Sequence, residues 1–392
     1  MVRLIDDDER RARLGRRHLL SPGHQAANAE EVTRALTAVH GTDPGSTVLG
    51  ILARSPISSI ADIETALYET RSIVRVLAMR RTVFAVNYEL APSIWTSFDV
   101  TVARNQHRLF VQALEGTGIN DASAWIAEAE KRLLAFLDAH PGSTSKDIAG
   151  DDPYLSHRLP LIGPGATASS QSVASRLLTL MSAEGKVIRA RPKGGWTSSQ
   201  FTWAATNHWR SDWPERPSSD VADTEIARSW LFGYGPAAVE DLAWWTGWPK
   251  GRSRKAIDRA AGVEVRTNEG PAFVLSSDVE PVETPAPWVA LLPGLDSSTM
   301  GWKLRDFYLG PHATRLFDNV GNAGPTVWAD GRIVGGWTQR ENGEIAFEIY
   351  EDVGRSMLSA INEYAGHLQH LLAGVRLKPR ARRYTASELA LR

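Results

Sequence analysis

The sequence predicts an α+β chain in which helices lead three times into a two-stranded hairpin, followed by a β-rich C-terminal domain. Three observations carry this reading. Helical apolar spacing gives way three times to a pair of short apolar runs joined at a polar or basic turn. Each pair follows a helix–turn–helix pattern. From Pro285 onward, hairpin signals dominate until one last helix.

In the first unit Asn28 followed by Glu31 reads as a capping-box start, and Val32, Ala35, Leu36 and Val39 repeat at helical spacing. Gly41 is expected to stop this helix, with Asp43-Pro44 as N-cap and first residue of the next. A third helix starts at Ser59, and strands over 74–79 and 82–86 meet at Arg80-Arg81. Three helices closed by such a hairpin form a winged helix. Long helical stretches over 89–116 and 121–139 lead to the second unit. There Thr144 caps a helix to Ala149, a second helix covers 169–184, and strands over 187–191 and 201–205 flank Pro192-Lys193-Gly194-Gly195. The third unit has helices over 225–232, from Gly235-Pro236 to Trp245, and through Arg252, Arg254 and Lys255. Its strands over 263–266 and 272–275 enclose Asn268-Glu269-Gly270, and Trp244, Trp245 and Trp248 are expected in its core. Asp330-Gly331 and Asn342-Gly343 then mark two hairpins, before a helix over 355–372 and a basic tail over 376–383. The expected domains are winged-helix modules over 1–120, 121–215 and 216–284, and a β-rich, barrel-like domain over 285–392.

Composition narrows the function. The chain has 392 residues, a formal charge of −1 and 43% hydrophobic residues, ordinary for a globular protein. Of 44 basic residues only 8 are Lys. That bias suits phosphate and base-edge recognition; a GC-rich genome also produces it. The absence of cysteine excludes disulfides, thiolate catalysis and zinc fingers. No run reaches the roughly 18 apolar residues of a membrane helix, and the charged start lacks a signal-peptide core. A cytoplasmic protein is expected. No glycine-rich loop follows a strand, so no nucleotide cofactor is expected. Glu363, His367 and His370 share a helix face, read as solvated, so neither a metal nor another cofactor is expected.

The most informative stretch is Ala38-Val39-His40-Gly41-Thr42-Asp43-Pro44, which crowds an imidazole, a hydroxyl and a carboxylate at a helix–helix corner. An imidazole at a helix C-terminus would be held protonated more firmly than usual. Elsewhere, Arg80 and Arg81 at a wing tip, and Lys193 at another, offer phosphate contacts. Arg252, Arg254 and Lys255 lie on the helix that would enter a DNA groove. Each has a plainer reading as a solvated turn or helix face.

Several of these stretches together resemble the AlkZ/YcaQ family of winged-helix DNA glycosylases. They are Val39 to Pro44, Ala78-Met79-Arg80-Arg81-Thr82, Tyr234-Gly235-Pro236-Ala237 and Asp241 to Gly247. Leu291-Leu292-Pro293-Gly294-Leu295-Asp296 and Asp330 to Gly335 follow in the family's order. The resemblance implies three tandem winged helices and a β-rich C-terminal part around a DNA channel. It also implies excision of N7- or N3-alkylated purines and, in some members, unhooking of interstrand crosslinks. Family enzymes carry Gln-x-Gln or Gln-x-Asp before Asp-Pro; here His40 and Thr42 occupy those positions.

With that resemblance, His40, Thr42 and Asp43 become the catalytic candidates, His40 as base, Thr42 to hold a water and Asp43 to face the developing positive sugar. Arg80, Arg81, Lys193, Arg252, Arg254, Lys255, Asp296 and Arg332 become candidates for lining a double-stranded DNA channel. The expected form is a monomeric, monofunctional glycosylase. Two other readings of the same fold stay open, a non-catalytic DNA-binding protein and a scaffold for protein contacts.

Overall fold

The helix Ala29–Ala35 starts where the sequence places it, with the Asn28 side chain accepting from the Glu31 N–H. It ends earlier than expected. Thr37 turns the chain through a left-handed φ of 62°, and Val39–His40 leaves as a β-strand. In the computed structural model, which describes residues 2–160, 170–379 and 382–392, this strand pairs antiparallel with Val83–Asn87, Val39 opposite Ala85 and His40 opposite Phe84. Gly41 then lies so close to that strand that a Cβ would sit 2.9 Å from the Phe84 carbonyl carbon. Its glycine is required by close approach, not as a helix stop.

The helices Pro44–Leu52 and Ile60–Tyr68 follow, the first N-capped by Asp43 and the second closed by a Ser59/Asp62 capping box. Strands Ile73–Leu77 and Val83–Asn87 complete a three-stranded sheet with Val83–Asn87 in the middle. The same order of elements recurs as Ala122–Ala139, Ser143–Thr144, Ser145–Ala149, Val173–Ala183, Val187–Arg189 and Thr202–Ala205, again with the last strand central. It recurs once more as Ser219–Tyr234, Val239–Thr246, Lys250–Arg259, Gly262–Thr267 and Gly270–Leu275, where a single bridge, Ala237 to Phe273, stands in for the first strand. The stretch expected as one helix over 89–116 is instead Ala91–Phe98 and Arg104–Glu115 joined by a π-helical turn. Ser169, expected to open a helix, and Arg380 and Ala381 of the basic tail lie outside the described residues.

The C-terminal strands Val289–Leu292, Thr326–Ala329, Arg332–Gln339 and Ile345–Ile349 form an antiparallel sheet in chain order. Asp330 and Gly331 both take positive φ, as a tight hairpin turn demands. The expected barrel is not found. The sheet is open among the described residues, because the helix Gly354–Leu371 already covers its apolar face, laying Ile361, Ala365 and Leu368 on Leu291, Val327, Val334 and Trp337. A sheet whose one apolar face is covered has no need to close on itself. The overall class is α+β, and no described helix is long and apolar enough to cross a membrane.

One apolar core runs through the first and third repeats and into the C-terminal sheet, whereas the second repeat has a core of its own. At the centre of the larger core lies an ion pair. Arg54, fully buried, donates to both Asp296 oxygens at 2.9 and 2.7 Å. Its other donors reach the Gly50 and His18 carbonyls and the Ser298 hydroxyl. All five guanidinium N–H groups are therefore used. Asp296, expected to line the DNA channel, is corrected to this role: it is 4% exposed and ties the end of Pro44–Leu52 to the 293–300 loop. Asp296→Ala is expected to cost about 3–5 kcal/mol of folding stability, since it strands a buried charge. Denaturant unfolding checks this, and a loss below about 1 kcal/mol would contradict the role.

Candidate active site

The corner after the first helix is built by backbone pairing. Strand alternation turns Val39 into the core and His40 to the other face. The His40 ring meets the edge of Phe84, 6.3 Å between centroids, and its Nε2 accepts from the Asp43 N–H at 3.4 Å. The Thr47 hydroxyl donates to the His40 carbonyl at 2.6 Å and fixes the turn. Thr42 Oγ1 accepts from the Val83 N–H at 3.2 Å, which leaves its own hydrogen free to donate.

His40 is only 7% exposed. Burial, and secondarily the charge of Arg382, pushes its imidazole from the ordinary 6.5 down to about 3. The expectation of a more firmly protonated ring is thereby corrected: His40 ends no helix, so no helix dipole favours its cation, and burial penalises it. At neutral pH it is an uncharged ring with one donor and one acceptor.

His40 and Thr42 open into a cavity of about 530 Å³. Its walls are Arg80 and Arg81 of the first hairpin turn, Phe84, Trp244 and Trp245 of the third repeat, and Leu295, Ser297, Met300, Arg305 and the 320–322 loop. Ser297 holds this wall to the corner by donating to the Ala38 carbonyl at 3.0 Å. No carboxylate lines the cavity among the described residues. Arg80 and Arg81 both adopt left-handed φ, 52° and 62°, at a cost of about 1–3 kcal/mol each. Burial, and then the nearby charge of Arg81, lowers the Arg176 pKa. The cavity wall is cationic and its floor is neutral.

This arrangement can be set beside known proteins. The family profile described as DNA glycosylase AlkZ-like matches residues 33–370. The chain belongs to the AlkZ-like DNA glycosylase family. An interstrand DNA cross-link repair glycosylase of Streptomyces sahachiroi is 29% identical over 177 residues, 43% of this chain and 47% of that protein. The match thus spans about half the length of that curated relative. The structure of Streptomyces sahachiroi DNA glycosylase AlkZ aligns with a TM-score of 0.72 over 96% of this chain and 99% of that one, at 19% identity. The last is a likeness of fold.

Against that AlkZ-like frame, the structure brings His40, Thr42, Arg80 and Arg81 to one cavity. Asp43 is not among them. Its carboxylate caps the Gly45 N–H at 3.1 Å, and the residue lines a separate cleft with Thr197, Leu377 and Arg382. Arg252 is corrected as well. It turns inward to both oxygens of Asp223 and to the Ser97 carbonyl, because Asp223 is buried and needs a cation. Arg254 pairs with Asp258, Lys193 with Asp147 and Arg332 with Glu351, all on exposed surface; Lys255 lines a cleft with Asp220 and Arg259.

Two residues were missed. Trp244, expected in the core, lines the cavity, while Trp245 and Trp248 are buried as expected. Adjacent helical residues point about 100° apart, so one of the Trp244-Trp245 pair had to face away from the core. Arg305 carries no local signal, since it stands in a loop before the short helix Asp306–Leu309.

The His40 shift has a measurable consequence. The unfolded chain takes up a proton below about pH 6.5 that the folded chain refuses until about pH 3. Stability is therefore lost as pH falls through that window. Between pH 7.5 and 4.5 the wild type is expected to lose about 3 kcal/mol more than His40→Gln. Equal losses in urea unfolding at the two pH values would contradict a buried neutral ring.

Proposed function

We propose that this chain is a monofunctional DNA glycosylase that hydrolyses the N-glycosidic bond of N-alkylated purines, including crosslinked ones, in double-stranded DNA. The observation that carries the reading is the neutral His40 beside Thr42 on the floor of an arginine-lined, acid-free cavity. The family's glutamines supply an uncharged donor and acceptor at these positions. A buried neutral imidazole is likewise an uncharged hydrogen-bonding group, and with Nε2 engaged by the Asp43 N–H it offers its Nδ1–H, so the exchange of Gln for His keeps the position uncharged.

Alkylation at N7 makes the leaving purine a cation, so its departure needs no general acid. As the C1′–N9 bond breaks, its electron pair neutralises the base and the sugar becomes oxocarbenium-like. Water then adds to C1′ and gives up a proton to solvent. With its pKa near 3, His40 is too weak a base to take that proton fully; it positions the water together with the Thr42 hydroxyl. A neutral ring also avoids repelling the cationic base. Three winged-helix modules, one for each repeat of the element order, would cradle the duplex. Arg81, Lys193, Arg254 and Lys255 are the backbone contacts in this reading. The protein acts as a monomer in the cytoplasm.

The test is release of N7-alkylguanine from a duplex, read as alkali-labile abasic sites. Wild-type protein is expected to form product, and His40→Ala and Thr42→Ala to lose about 10²-fold in rate or more, with melting temperatures near wild type. Saturable binding without product would instead favour the non-catalytic DNA-binding reading. Product formation unchanged in His40→Ala would contradict the assigned floor.

A further inference from the structure

Arg80 and Arg305 both lie over the ring of Trp244, their guanidinium carbons 4.4 and 5.2 Å from its centroid. Two like charges are thus gathered on one indole at the cavity wall. Among the described residues neither forms an ion pair with a carboxylate. Nη1 of Arg305 is buried with no hydrogen-bond partner. Burial and then the charge of Arg305 hold Arg80 below its ordinary value. An arginine cannot relieve such repulsion by losing its proton.

The arrangement is built, not incidental. The carboxylate of Asp241 accepts from the Ala238 N–H at 2.9 Å, and from the Lys303 and Leu304 N–H groups at 2.9 and 2.8 Å. One buried side chain thereby fixes both the helix that presents Trp244 and the loop that presents Arg305. The Arg80 stem rests against Gly247, where an added Cβ would sit 3.3 Å from Cγ. Both guanidiniums lie over one indole, and a group that suits such a pair is an anion with several oxygens. A phosphodiester matches, since guanidiniums bind it through paired N–H donors.

We propose that Arg80 and Arg305, held on Trp244, form one phosphodiester site that grips the backbone phosphate next to the nucleotide presented to His40 and Thr42. The proposal rests on the DNA-glycosylase reading for its ligand, and on the geometry alone for its chemistry. The bound phosphate also offsets positive charge in a cavity that must admit a cationic base. Asp241 is the positioning residue.

The experiment measures duplex affinity against salt for wild type, Arg80→Ala, Arg305→Ala and the double variant. Each single change is expected to weaken binding about tenfold and to reduce the log–log salt slope by about 1. Because both arginines hold the same phosphate, the double variant should lose clearly less than the sum of the two. Unchanged affinity and slope, or strictly additive losses, would overturn the shared site. Should Arg305→Ala melt early, Arg305→Gln takes its place under the same criteria. Should wild type fail to bind any duplex, the glycosylase reading falls, and inorganic phosphate decides the site separately. It should raise the melting temperature of wild type and not of either single variant; no rise in wild type would overturn the site too.

Discussion

The buried pair of Arg54 and Asp296 is the constraint on which the candidate site depends. Every guanidinium donor of Arg54 has an acceptor, and the Asp296 carboxylate also receives the Ser298 N–H. The pair joins the end of the Pro44–Leu52 helix to the 293–300 loop. That loop then supplies Leu295, Ser297 and Met300 to the wall facing His40. The corner sits in the first repeat and its opposite wall in the C-terminal region, so the cavity exists only while this joint is closed. A hydrophobic substitute could fill the same volume, but would not tie four separate main-chain and side-chain groups to one point.

Electrostatics then divide the site into two layers. The floor is neutral because burial, and secondarily the charge of Arg382, both disfavour the His40 cation. The walls are cationic because Arg80, Arg81 and Arg305 line them with no carboxylate among the described residues. In the proposed reading an anionic duplex is drawn to the walls, while the bond to be broken meets uncharged, hydrogen-bonding groups. The carboxylate nearest in sequence, Asp43, is engaged in capping a helix. The rate enhancement in this account therefore comes from positioning water and from the charge already carried by the damaged base, with no ionised catalytic group.

Much of the fold was legible because its signals are local. The starts at Asn28, Ser59 and Thr144 are read from a side chain three residues before its partner, and Asp330-Gly331 needs only its own backbone. The end of the first helix was not legible. Val39 continues the helical period, yet it is buried equally well from a strand, and periodicity cannot tell the two apart. The roles of charged residues were read least well. Asp296 meets Arg54 from 242 residues away and Arg252 meets Asp223 from 29; nothing in either neighbourhood announces the partner. Trp244 could have been suspected from its adjacent tryptophan, and Arg305 could not.

The most direct measurement is a structure of the protein bound to a duplex in which a cationic azasugar replaces the damaged nucleotide. The azasugar is expected in the cavity, its ring within about 4 Å of the His40 and Thr42 side chains. A duplex lying across another face, with His40 still shielded and the cavity empty, would contradict it.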